Sequence, residues 1–90
     1  MSGRIFDLEL SIQIQEILYV IADICDREKM TQFNFYYELV QEYWKYRPGY
    51  QLKNFDDLNQ IYQEISKIII DMCLIRRISL AEFKKELRNL

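Results

Sequence analysis

The stretch Leu58-Asn59-Gln60-Ile61-Tyr62-Gln63-Glu64-Ile65-Ser66-Lys67-Ile68-Ile69-Ile70-Asp71-Met72-Cys73 sets the reading of the whole chain. Leu58, Ile61, Tyr62, Ile65, Ile68, Ile69, Met72 and Cys73 recur at three- and four-residue spacing. Gln60, Gln63, Glu64, Lys67 and Asp71 fall on the opposite side. That period belongs to an amphipathic helix and not to a strand. Asn54 is the expected cap, with Asp56 and Asp57 in the first turn, where the helix dipole favours negative charge.

Downstream, Ser79-Leu80-Ala81-Glu82 forms a capping box, in which serine hydroxyl and glutamate are each expected to satisfy a backbone N–H. Ile78 and Phe83 take the staple positions around it. Leu80, Phe83, Leu87 and Leu90 carry the stripe of this last helix. The residues between, Leu74 to Ile78, read as a turn or a very short strand.

Upstream, a second helix is expected over Asn34–Tyr46, capped by Asn34 or Thr31 and stopped by Pro48-Gly49. Tyr36, Leu39, Val40, Tyr43 and Trp44 form its main face. Flanking aromatics widen its apolar arc to about 220°, against the roughly 100° that a surface helix needs. A first helix is expected from Ser11, as N-cap, to Glu28, with Ile14, Ile17, Leu18, Ile21, Ile24 and Cys25 on one face. No alternating strand pattern, internal repeat or low-complexity segment is apparent. The fold class is therefore all-α: one domain, 1–90, a compact bundle of four helices centred on the second and third, helix-turn-helix-like but without a wing.

Composition sets limits on function. Ninety residues bury a modest core, so a stability of a few kcal/mol is expected. Half the chain is hydrophobic and 29% is charged, which is globular composition. The net charge of -2 argues against strong non-specific phosphate binding, though a local basic patch is compatible with it. No secretory signal and no apolar run of about 20 residues is seen, so no membrane contact is expected and a cytoplasmic or nuclear setting is. Cys25 and Cys73 lie on apolar helix faces and read as reduced core thiols.

The chain has no histidine, which removes the usual general base and the commonest metal ligand. It has no phosphate loop and no nucleophile elbow. The closest carboxylate pairs, Asp23 with Asp26 and Asp56 with Asp57, read as helix-end chemistry. No enzyme, cofactor or metal is expected.

Two features point to binding. Eight of the thirteen aromatic residues fall between Phe33 and Tyr50; aromatics of this kind either fill a small core or form a docking patch, here Tyr37, Trp44, Tyr46 and Tyr50. Basic residues gather at Lys45, Arg47 and Lys53, and again at Arg76, Arg77, Lys84, Lys85 and Arg88. The second group is the candidate nucleic-acid contact, with solvated helix surface as the plain alternative.

Ser11-Ile12-Gln13-Ile14-Gln15-Glu16-Ile17-Leu18, then Gln32-Phe33-Asn34-Phe35 with Leu39-Val40-Gln41-Glu42-Tyr43, then Phe55 through Leu74-Ile75 resemble the three helices of the C-terminal winged-helix domains of origin recognition complex subunits and archaeal initiators. That likeness covers about two-thirds of the chain and implies DNA binding. It departs from the family in leaving no room for a wing and in lacking the ATP-binding module. In size and helix count the chain is also similar to small immunity proteins against antimicrobial peptides and nuclease toxins. The expectation is a non-catalytic module or small regulator whose partner is another protein, a second copy of the chain included, with a winged-helix-like DNA-binding domain as the alternative.

Overall fold

Each helix starts and stops where local chemistry satisfies its terminal backbone groups. A computed structural model describes the backbone of residues 2–89 and the side chains of residues 8–89. It contains α1 (Ser2–Glu28), α2 (Gln32–Tyr43), α3 (Leu58–Arg76) and α4 (Leu80–Arg88). No strand occurs among the described residues, and no helix is long and apolar enough to cross a membrane.

Several expected boundaries are corrected. Ser11 is not a cap: α1 runs through it from Ser2, because nothing between Arg4 and Leu10 breaks a helix and Leu10 and Ile14 rest on the core. The second helix begins after Thr31, one of its two expected caps, whose hydroxyl accepts from the Asn34 N–H at 3.0 Å. It gives way at Tyr43 to a tighter turn, with Lys45 N–H on Glu42 O at 3.1 Å and Tyr46 N–H on Tyr43 O at 2.9 Å. Asp57, not Asn54, caps α3 by accepting from the Gln60 N–H at 3.0 Å, while the Gln60 side chain accepts from the Asp56 N–H at 3.0 Å. Leu58, expected on the core stripe, sits at that helix start and is half exposed. The segment from Leu74 is helical to Arg76.

Ser79 caps α4 as expected, accepting from the Glu82 N–H at 3.1 Å; the Glu82 carboxylate, however, meets the Ser79 hydroxyl at 3.4 Å and not a backbone N–H. Leu80, Phe83 and Leu87 are buried as read, and Leu90 lies outside the described residues.

The chain does contain an internal repeat. Gln15, Glu16, Ile17, Ile21, Asp23, Cys25, Phe35, Glu38 and Leu39 are identical to Gln63, Glu64, Ile65, Ile69, Asp71, Cys73, Phe83, Glu86 and Leu87, each 48 positions later. The joints show the same geometry twice. Lys29 and Arg77 adopt left-handed backbone at φ 54° and 59°. The next N–H groups, of Met30 and Ile78, bond back to Cys25 O and Cys73 O at 3.0 and 3.1 Å, closing a Schellman turn. The two thiols then reach over the turn to the carbonyls of the caps Thr31 and Ser79, at 3.8 and 3.9 Å. Both cysteines are free and buried, and burial raises both pKa values, that of Cys73 to about 11.

The two hairpins, α1–α2 and α3–α4, interlock. Packing is most extensive between α1 and α4 and between α2 and α3, with α1 meeting α3 between them. The expected centre, α2 with α3, is thus one of two equivalent pairs. Ile17 and Ile21 match Ile65 and Ile69, all four at 0–1% exposure. The repeat is faint in sequence because most paired positions share only helical period and polarity, which any amphipathic helix has.

Lys29→Gly and Arg77→Gly are expected each to raise stability by about 0.5–1 kcal/mol. The left-handed conformation costs a side-chain-bearing residue roughly 1–2 kcal/mol, partly offset by glycine's greater loss of freedom on folding. Thermal melts of both variants check this, and similar gains at the two positions would follow from the shared joint.

Candidate protein-docking site

Helix α2 and the segment after it, to Tyr50, hold eight of the thirteen aromatic residues, and the structure separates them into two sets. Phe35, Tyr36 and Tyr43 are buried. Phe33, Tyr37, Trp44 and Tyr46 are 36–43% exposed. Phe33, Tyr37 and Trp44 recur four and seven residues apart, which places them within about 40° of each other around the helix and makes one stripe. Phe33 was not among the predicted site residues. Its signal was the four-residue step to Tyr37, obscured by the adjacent Phe35, which points inward. Phe33 also leans on Tyr36, ring centroids 6.1 Å apart.

Tyr50 is a correction. It is half buried, and its hydroxyl turns into the bundle. The phenol donates to Glu64 Oε2 at 2.9 Å and lies 2.7 Å from the Tyr36 hydroxyl. Its single proton is committed to the carboxylate, so Tyr36 is the donor in the second contact. Tyr36 in turn accepts from the Lys53 N–H at 3.0 Å, and Lys53 Nζ reaches Glu64 at 3.1 Å. Burial first, then the bonds to Tyr36 and Glu64, raise the Tyr50 pKa far above its ordinary value. Among the described residues Glu64 is the one buried charged residue, 7% exposed, and this network satisfies it. No buried side-chain polar atom among the described residues lacks a partner.

A second network fixes the turn. Tyr43 donates to Asp71 Oδ2 at 2.5 Å, and Arg47 grips the same carboxylate with Nε at 2.9 Å and Nη2 at 3.2 Å. Tyr43 and Tyr50 meet edge to face at 5.3 Å. Trp44 is partly exposed, but its indole N–H is spent on the Tyr50 carbonyl at 2.7 Å. Tyr46 lines a shallow depression with Tyr43, Arg47, Pro48, Gly49 and Tyr50. Tyr37 lines a different groove, between the end of α1 and α2, of about 650 Å³. The predicted four are therefore not one patch: Tyr37 belongs to the stripe with Phe33 and Trp44, Tyr46 to the turn, and Tyr50 to the interior.

The basic cluster is dispersed as well. Arg76 makes two bonds to Glu86 at 2.9 and 2.7 Å, and Lys84 pairs with Glu16 at 2.8 Å. The backbone of Arg77 forms the left-handed joint between α3 and α4, while its side chain, like that of Lys85, is exposed. Arg88 faces α1 beside Lys84, lining the same groove. Among the described residues no salt bridge forms to Arg77, Lys85 or Arg88, and no group of three or more metal-ligating side chains occurs. Comparison of the chain with protein families, curated proteins and solved structures gives no match.

Two stability effects are expected. Tyr50→Phe removes the donor of a buried carboxylate and should cost about 1–3 kcal/mol by chemical denaturation. The Asp71 carboxyl is held below its ordinary pKa of 3.8, chiefly by Arg47 and then by Tyr43. A depressed folded pKa contributes stability that is present above the ordinary value and lost as pH falls through the folded one. Denaturation midpoints measured from neutrality down through the carboxylate range should therefore decline more steeply for the wild type than for Asp71→Asn.

Proposed function

We propose that this chain is a non-catalytic protein-binding module, a small helical regulator or inhibitor, and that it engages its partner through the exposed α2 stripe of Phe33, Tyr37 and Trp44 with Tyr46 beside it. The observation that supports this reading is the split of the aromatics. Phe35, Tyr36 and Tyr43 complete the core, yet four further large rings on the same helix and its exit turn stay partly exposed. Rings of this type carry much of the energy of protein interfaces, because they bury large area at small entropic cost and keep a polar tip.

The nucleic-acid alternative has less to stand on. Of the five bases it relies on, Arg76 and Lys84 are already neutralised by Glu86 and Glu16. Releasing them to a phosphate would sacrifice those pairs, and the chain's net charge of -2 offers no long-range attraction.

The test pairs two titrations. With fluorescent duplex and single-stranded DNA, anisotropy should stay flat at physiological salt and at low salt alike. Steep, salt-sensitive binding that Arg76→Ala with Arg77→Ala weakens would move the function to nucleic acid. In affinity capture with the intact chain as bait, Tyr37→Ala and Phe33→Ala should deplete specific partners while helical circular dichroism is unchanged. Unfolding of both variants would return these rings to the core.

A further inference from the structure

Helix α1 carries two apolar faces. Leu10, Ile14, Ile17, Ile21 and Ile24 belong to the core or pack against it. On the opposite side Leu8, Ile12 and Tyr19 are 63%, 50% and 70% exposed. Together with Gln15 and Ala22 they follow a four-three-four-three spacing, which keeps all five within an arc of about 80° around the helix. That spacing is the one by which two helices share a seam.

The internal repeat provides a comparison within the chain. Leu8, Ile12 and Tyr19 correspond to Asp56, Gln60 and Lys67, all exposed on α3. The bundle therefore requires no apolar residue on this outer face. Yet α1 places three there where α3 has an acid, an amide and a base. Large apolar side chains gathered on one exposed face mark an interaction surface.

A small hollow of about 200 Å³ lies in the stripe, lined by Gln15, Leu18, Tyr19 and Ala22, with Tyr62 of α3 beside them. The four α1 residues stand at i, i+3, i+4 and i+7. Those positions form the hole that receives one side chain of a facing helix. Leu8, in the same stripe, projects into solvent as a side chain fit for such a hole. One face thus holds both a knob and a hole. Two copies laid antiparallel use both twice: Leu8 of each enters the hollow of the other, and Ile12 of each lies against Gln15 of the other.

We propose that the chain forms an antiparallel twofold dimer through this α1 stripe. A self-complementary patch of this kind closes on itself as a pair. Glu9, Glu16 and Asp23 follow one edge of the seam at seven-residue intervals, and Ser11 and Leu18 the other. Acids along the edge disfavour an anionic lipid surface, which helices lying on membranes meet with bases. In the antiparallel pair Glu9 of one copy approaches Glu16 of the other, a carboxylate that Lys84 already neutralises at 2.8 Å. The seam from Leu8 to Ala22 is about 21 Å long, so the contact is small for a specific interface and the dimer is weak. This surface is separate from the α2 stripe, and the inference stands apart from the protein-binding reading.

Sedimentation velocity of the full chain over a concentration series tests the proposal. A monomer–dimer equilibrium in the micromolar range is expected, with amide resonances of residues 8–22 shifting on dilution. The triple variant Leu8→Asp, Ile12→Gln, Tyr19→Lys installs the residues that α3 has at the same positions. It should remain monomeric with unchanged helical circular dichroism. Leu8→Asp alone should weaken the dimer at least about tenfold, which keeps the test open if the triple variant unfolds. Trp44→Ala should leave association unaltered. A monomer at every concentration up to about 1 mM, or a dimer that survives Leu8→Asp undiminished, would overturn the inference. So would a monomer that binds phosphatidylglycerol vesicles through the same stripe. These readouts involve no other protein, so their failure is distinct from failure of the capture experiment.

Discussion

Ile17 and Ile21 of α1, with Ile65 and Ile69 of α3, are shut away from water in the one core that all four helices share, and the rest of the bundle closes over them. These β-branched side chains have few rotamers to lose, so they hold two helices at a defined separation at small entropic cost. The arrangement also makes the hairpins interdependent. The second helix of each packs on the first helix of the other, so neither hairpin covers its own apolar face. One cooperative unit follows from topology, even though the chain is built from two similar halves.

What the sequence makes legible is what depends on neighbours a few residues apart. The α3 stripe, the Ser79 cap and the inward set of Tyr36, Leu39, Val40 and Tyr43 all follow from helical period and capping chemistry. What it hides depends on residues distant along the chain. Tyr50 looks like a surface aromatic beside Pro48-Gly49 until Glu64, fourteen residues on, is seen to accept its hydrogen bond. Lys84 looks like part of a basic stretch until Glu16, 68 residues back, neutralises it. The start of α1 was obscured for a different reason: Ser11 has the chemistry of a cap, but a cap is needed only where backbone N–H groups lack partners, and those of Ser11 and its neighbours lie inside a helix that began earlier.

The repeated joint explains a residue choice that looks unfavourable locally. Left-handed backbone favours glycine, yet Lys29 and Arg77 occupy it. Both turns are held from either side, by the Schellman bond to a cysteine carbonyl and by that cysteine's thiol reaching the next cap. A long basic side chain there also sits at a helix C-terminus, where the macrodipole favours positive charge. The conformational cost is thus partly returned as electrostatic gain, at the same place in each hairpin.

Glu64 and Glu16, equivalent positions of the repeat, serve two ends. A buried carboxylate is costly unless every lone pair is met, and replacement by an apolar residue is often neutral or better for stability alone. Its use lies in register. Only a segment that brings a phenol and an ammonium to the same point satisfies Glu64, and the linker does so with Tyr50 and Lys53, fixing how it crosses α2 and α3. At Glu16 the bundle supplies the cation itself, from α4, and the groove stays open. The same carboxylate therefore organises a closed, structural surface in one half. In the other it anchors Lys84 at the wall of an accessible one, so at this position the halves differ less in the helices than in what is laid across them.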